Sequence, residues 1–443
     1  MKNTPINKEV VDKQLAYCGI SDMADATIRD IVRVVNLIQE ESGEKFIRME
    51  MGVPGLKPAK VGIEAEKKAL EEGAASAYPM LEGVKALKEE GSRFVKNFMN
   101  IDVKADGIVP TVGSMQGGYA AFMAIGNCDP KKDTILFIDP GFPVQKTQLE
   151  VMGQKYESFD VYNYRGEKIR EKLEEFLSKG NIAGMIYSNP NNPAWICFNE
   201  EELKIIGELA NKYDTIVMED LAYFAMDFRS DLGKPGVAPY QPSVANYTDN
   251  YVLMISSSKA FSYAGQRIGL LCISDKLYSR KFENLEKRFG GTGELGYTII
   301  YRIIYTLSSG TSHSAQYALC AMLKAANEGS FDFINDVKEY GERAQIMKKM
   351  FLENGFELVY DTDVNVPLAD GFYFTVSYPG MTGAELNKEL LYYGISAICL
   401  NETGSLKEGL RACVSQISRD QFKDLEFRLK EFEKHHQLES KLS

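Results

Sequence analysis

Between about residue 105 and residue 275, short and almost continuously apolar runs alternate with stretches of helical spacing. No other feature of the chain narrows its fold as far. The runs that read as strands are Gly107–Val112, Thr134–Ile138, Ile182–Ser188, Thr215–Asp220, Tyr251–Ser256 and Ile268–Ser274. Apolar residues at nearly every position, rather than at every second one, belong to strands covered on both faces. Between them, Ser114–Ile125 and Glu200–Lys212 repeat apolar residues at helical spacing. Asn199 and the acids that follow it supply a cap and a favourable charge at the start of the second helix. The alternation predicts an α/β fold whose large domain carries a mostly parallel, doubly wound sheet.

The last hundred residues follow another pattern. Phe331–Asn354 reads as helical, Gly371–Ser377 and Gly409–Ser415 as strands, and Arg419–His435 as an amphipathic helix with Phe422, Leu425, Leu429 and Phe432 on its packing face. This predicts a smaller α+β domain over residues 330–443. Residues 1–57 precede the parallel sheet and are expected to join it, leaving 58–329 as the large domain.

Composition then removes whole classes of function. The formal net charge is −11 and no long basic tract occurs, so a nucleic-acid partner is not expected. No run of about 18 apolar residues exists to span a membrane, and the polar N-terminus does not read as a secretory signal. The seven cysteines are odd in number, dispersed and never spaced CxxC, which points to reduced thiols and a cytoplasmic location. Histidine is the sharpest exclusion, with only His313, His435 and His436 present. No HExxH motif or Cys/His cluster can be written, so no metal site is expected. The chemistry must rest on Lys, Arg, Tyr, Asp or a borrowed cofactor.

Several segments at strand ends carry such residues. Thr111-Val112-Gly113-Ser114-Met115-Gln116-Gly117 is a strand, a glycine turn and a helix start, whose N–H groups favour a phosphate. Alone it is also explained by a tight turn. Asp139-Pro140-Gly141-Phe142-Pro143 sets Phe142 between prolines, where it can stack on a flat ligand or simply pack. Ser188-Asn189-Pro190-Asn191-Asn192-Pro193 places side-chain amides in a double turn. Asp220 ends a β-rich run and needs a cation or donor partner. Ser256-Ser257-Ser258-Lys259, with Arg267 eight residues on, places a lysine amid hydroxyls after a buried strand. A cationic neighbour and partial desolvation would make that amine nucleophilic.

Taken in this order, from Met51-Gly52-Val53-Pro54-Gly55 through Gly409-Leu410-Arg411, these segments resemble the fold-type I pyridoxal phosphate enzymes of the class I/II, aspartate aminotransferase-like, aminotransferase family. The resemblance implies the pyridoxal phosphate-dependent transferase fold. Lys259 resembles the lysine that binds the cofactor's aldehyde, and Asp220 the acid beneath the pyridine nitrogen. Tyr223 and Asn192 match the pair at the ring's phenolic oxygen, and Phe142 the aromatic that stacks on the ring. Gly113, Ser114 and Met115 at the helix start, with Ser256, Ser258 and Arg267, match the phosphate cradle. Arg411 resembles the arginine that grips the substrate α-carboxylate, and Gly52 a glycine whose backbone approaches it. Tyr78 matches a tyrosine that reaches the phosphate in the neighbouring subunit.

The implied activity is transfer of an amino group between an L-amino acid and a 2-oxo acid through Lys259-bound pyridoxal phosphate, with ping-pong kinetics and a homodimer that shares its active sites. Catalysis would fall to Lys259, Asp220 and Tyr223. The alternative is a β-lyase using the same site. Two departures bear on substrate and reaction subtype. Pro193 is followed by Ala194-Trp195 where the family commonly has Thr-Gly, and Leu221 replaces the acid that usually follows Asp220. A cofactor-binding regulator would need a DNA-binding domain ahead of Met51, and neither a P-loop nor a well-placed GxGxxG is present. Arg302 is a candidate for a second substrate carboxylate, with a structural salt bridge as the competing role.

Overall fold

The computed structural model describes residues 4–440, with side chains through Gln437. The chain divides into two compact units. The larger takes Leu56–Asn191 and Cys197–Val337; the smaller takes the residues through Gly55, the short piece Asn192–Ile196, and the residues from Lys338 onward.

The larger unit is built on seven strands: β1 (Ile108–Thr111), β2 (Thr134–Asp139), β3 (Lys155–Asp160), β4 (Ile182–Ser188), β5 (Ile216–Leu221), β6 (Tyr251–Ser256) and β7 (Gly269–Ile273). Their order across the sheet is β1-β7-β6-β5-β4-β2-β3. β7 runs antiparallel to both neighbours, and the other pairs are parallel. All strands but β3 are buried at every position, as their continuous apolar runs require. Sequence reading misses β3 because Lys155-Tyr156-Glu157-Ser158-Phe159-Asp160 is mostly polar. The strand lies at the sheet's edge, where charge blocks further pairing.

Helix Gly113–Ile125 follows β1, and helix Glu200–Tyr213 precedes β5. The second begins with a capping box between Asn199 and Glu202. The expected helix over 331–354 is instead two, Phe333–Val337 and Glu339–Glu353. The first of them belongs to the larger unit, because Phe333 packs among Phe94, Phe98, Phe224 and Phe261 with ring centroids 5.0–6.3 Å apart.

The smaller unit holds a four-stranded antiparallel sheet in the order Ile398–Cys399, Leu410–Cys413, Tyr373–Ser377, Glu357–Leu358. The N-terminal residues join it through Ile47–Arg48, which pairs in parallel with Ile395–Ser396. Helix Phe422–Ser440 buries Phe422, Leu425, Leu429 and Phe432. Residues 192–196 fall here rather than in the surrounding sequence's unit. Trp195 is 1% exposed and meets the Tyr373 ring edge-on, at 6.1 Å between centroids. Its packing is with the smaller unit's sheet.

Candidate active site

In an open parallel sheet, ligands gather at the carboxyl ends of the strands. Asp220 is the next-to-last residue of β5 and is 7% exposed. Its Oδ2 accepts a hydrogen bond from Gln145 Nε2 at 2.8 Å, and its Oδ1 accepts one from the Ala222 N–H at 3.1 Å. Burial pushes its carboxyl above the usual carboxylate range, against those donors and the positive charge of Lys259. Glu219, the preceding residue, is wholly buried and accepts from Tyr187 Oη at 3.0 Å and from Ser243 Oγ. Burial raises its carboxyl to about 7. Alternation along a strand sends neighbours to opposite faces, so the two acids serve different surroundings.

Lys259 lies three residues past the end of β6 and is half-buried. Its Nζ sits 5.7 Å from the centroid of the Tyr223 ring, and Tyr223 is itself buried just beyond β5. Ser256 and Ser258 are buried between strand and lysine, with the Ser258 N–H donating to Ser256 Oγ at 3.1 Å. The Ser257 hydroxyl is committed elsewhere, donating to the Ile268 carbonyl at 2.7 Å. Phe142 precedes helix Pro143–Met152 and is half-buried.

Helix Gly113–Ile125 starts without a side-chain cap. Gly113 has φ +66°, and a Cβ there would lie 2.6 Å from Arg267 Nη2. The guanidinium therefore occupies the space a side chain would take. Arg267 is exposed, has φ 53°, and donates from Nη1 to the Ala264 carbonyl at 2.8 Å. Across the sheet, Gly269 lets β7 approach the same helix start, since its Cβ would lie 3.2 Å from the Ser114 nitrogen. A cation beside an uncapped helix start, with hydroxyls at the end of the neighbouring strand, is a donor set suited to a phosphate.

The remaining expected residues lie on other elements. Arg411 belongs to the smaller unit and is 1% exposed. It donates from Nη1 to Asn192 Oδ1 at 3.2 Å and from Nη2 to the Glu50 carbonyl at 2.5 Å. Its Nε is buried with no acceptor. Glu50 is held by Arg48 at 2.6 Å and Ser396 at 2.6 Å, which anchors the carbonyl that Arg411 uses. Gly52 lies beside Tyr373, whose Oη would be 2.2 Å from any Cβ at residue 52. Tyr78 belongs to the larger unit and is 90% exposed. Arg302 is exposed and donates through Nε to the Phe289 carbonyl at the end of helix Glu283–Phe289. It is a helix-end cation without a carboxylate partner among the described residues, so the expected salt bridge is absent.

Sequence reading missed Gln145. It lies one helical turn after Phe142, and that spacing was the only local signal. Its pairing with Asp220 spans 75 residues. Among the described residues no group of three or more His, Cys, Asp or Glu is placed to hold a metal, and no helix is long and apolar enough to cross a membrane.

A family model for aminotransferases of class I and II matches residues 44–426. The chain belongs to this family. It is 27% identical to a probable aspartate aminotransferase of Methanocaldococcus jannaschii, covering 78% of this chain and 82% of that one. It is 24% identical to the LL-diaminopimelate aminotransferase of Natranaerobius thermophilus, covering 78% and 84%. Among solved structures, the alanine aminotransferase from Pyrococcus furiosus superposes with a TM-score of 0.73 at 19% identity, covering 94% of this chain and 99% of that one. The family and fold expected from the motifs are thereby established. The protein is an aminotransferase, and its relatives carry different substrate names.

Proposed function

We propose that the protein moves an amino group between an L-amino acid and a 2-oxo acid, using pyridoxal phosphate held by Lys259. The observation that carries this reading is the cradle at Gly113. Arg267 fills the space of a missing side chain at an uncapped helix start, Ser256 ends β6, and Ser258 lies just past it, next to Lys259. This donor set fits a phosphate ester. Gly113, Ser114, Met115, Ser256, Ser258 and Arg267 would hold that group, Phe142 would face the ring, and Tyr223 and Asn192 would serve its phenolic oxygen.

When bound, pyridoxal phosphate supplies an electron-poor ring that takes up the electron pair left by the departing α-proton. Asp220 keeps a proton on the ring nitrogen. Its burial makes the bare carboxylate costly, and a cationic partner relieves that cost. Gln145 fixes which way the carboxylate faces. Lys259 carries the α-proton on Nζ, which sits 5.7 Å from the centroid of the Tyr223 ring. Arg411 binds the substrate carboxylate, which supplies the counterion its buried guanidinium lacks.

The reading extends to assembly and location. Tyr78, 90% exposed, lies at an open depression lined also by Pro79, Val112 and Ser308–His313. The exposed apolar residues Met80, Tyr305 and Leu307 flank it in sequence. A second copy of the chain would cover this face and receive Tyr78. The free thiols support a cytoplasmic location.

The test is a panel of amino donors with 2-oxoglutarate. Formation of glutamate and the matching 2-oxo acid, with parallel-line initial-rate plots, is the expected result. Release of pyruvate and ammonia without an acceptor would replace transfer by elimination.

A further inference from the structure

Arg411 is a buried cation that forms no ion pair among the described residues. Its two hydrogen bonds go to neutral oxygens, and its Nε has no acceptor. Such a charge needs compensation in the fold even before substrate arrives. What faces it is an aromatic ring. The guanidinium carbon lies 4.5 Å from the centroid of Tyr373.

The sheet register produces this contact. Arg411 pairs directly with Thr375, and Tyr373 is two residues from Thr375 on the neighbouring strand. Side chains two apart share a face, so Tyr373 and Arg411 are diagonal neighbours on one face. The ring is also held from other sides. Trp195 meets it edge-on at 69°, and Trp195 lies on Gly371, where a Cβ would come within 2.0 Å of the indole. At the hydroxyl end, Gly52 leaves room that any side chain would close. Glycines at residues 52 and 371 therefore admit one aromatic pair, and that pair supports one arginine.

We infer that Tyr373, seated by Trp195, is the positioning residue of the substrate carboxylate site, and that it acts through the face of its ring on Arg411. This rests on the reading of Arg411 as the carboxylate grip. A carboxylate beneath Arg411 would neutralise it and occupy the fork that the substrate must use. A ring face compensates the cation electrostatically while consuming no N–H donor. It also holds the guanidinium plane in one orientation, which a two-pronged pairing requires. Trp195, standing where the family commonly has glycine, thus belongs to the seat of the arginine.

The experiment grades the ring's charge without changing its shape. Tyr373→Phe is made first, then phenylalanines carrying one to three ring fluorines are incorporated at residue 373 in the full-length, cofactor-loaded enzyme. The readouts are KM and kcat for the best amino donor and the competitive inhibition constant of propionate, a carboxylate without an amine. Tyr373→Phe keeps the ring face and is the reference against which the fluorine series is read. Successive fluorines should raise KM and the propionate constant in step, reaching about tenfold, with kcat changing about twofold or less. Tyr373→Leu should match or exceed the most fluorinated variant; should it fail to fold, the fluorine series decides alone. Equal constants across that series would overturn the inference, because a purely packing ring is indifferent to its charge. Arg411→Lys separates the two claims. If it leaves KM and the propionate constant unchanged, the carboxylate-grip reading itself fails; if it raises both while fluorination does nothing, only the role of Tyr373 falls.

Discussion

Gly113→Ala tests the cradle at its narrowest point. Two costs are expected, and they separate cleanly. Gly113 has φ +66°, where a Cβ costs about 1–2 kcal/mol of folding stability. The alanine recovers about 0.4–1 kcal/mol by restricting the unfolded chain. The net loss of stability is therefore about 1 kcal/mol. The second cost falls on binding. The new Cβ would sit 2.6 Å from Arg267 Nη2, whereas ordinary contact begins near 3.4 Å, so the guanidinium must retreat by about 0.8 Å. Arg267 is exposed and its far end is free to yield, which keeps the fold intact. Its hydrogen bonds to a phosphate would be lengthened or lost. Charge-assisted bonds of this kind contribute about 1.5–3 kcal/mol, or roughly ten- to a hundredfold in affinity. The assay titrates pyridoxal phosphate into the apoenzyme by fluorescence, alongside urea unfolding. A double-mutant cycle sharpens it. If the alanine acts by displacing Arg267, then Gly113→Ala adds little once Arg267→Ala has removed the guanidinium. Native affinity in a folded Gly113→Ala enzyme, or fully additive losses in the cycle, would refute the reasoning.

Five further outcomes are expected. Lys259→Ala should abolish turnover and leave no cofactor that borohydride can fix to the protein; persistent labelling at another lysine would reassign the role. Asp220→Ala should slow exchange of the substrate α-hydrogen with deuterated solvent far more than it lowers stability. Gln145→Leu, which deletes the donor to Asp220 Oδ2, should slow the same exchange about tenfold, and an unchanged rate would make Gln145 a packing residue. Glu219 binds a proton more tightly in the folded protein, at about 7, than at its ordinary value of 4.5, so its contribution to stability is full below pH 4.5 and is lost as pH rises through 7. Glu219→Gln should remove that slope, of order 3 kcal/mol, in urea titrations at pH 4.5 and 8; parallel slopes in both proteins would contradict it. Finally, mixing a Lys259→Ala chain with an impaired Tyr78→Phe chain should restore activity at one site of the heterodimer, and no recovery in verified heterodimers would return Tyr78 to its own subunit.

Local sequence determined the scaffold of this protein and which polar residues stand at the ends of its strands. Runs such as Ile182–Ser188 and Tyr251–Ser256 are apolar at nearly every position and buried along their whole length, as a sheet covered on both faces requires. The positions of Asp220 at the end of one such run and of Lys259 just past another were legible in the sequence, and the structure sets both at the carboxyl ends of neighbouring parallel strands. Tertiary structure decided how these residues are held. The polar edge strand Lys155–Asp160 carries no apolar signal, since its pairing is all on one side. Asn192–Ile196 joins the smaller unit because Trp195 packs on Tyr373 and Arg411 reaches Asn192. Gln145 finds Asp220, Arg267 covers Gly113, and Tyr373 supports Arg411 through contacts between separate elements. Local periodicity shows which face of an element is buried. It does not show what that face meets, because partners distant in the chain are chosen by sheet order and strand register.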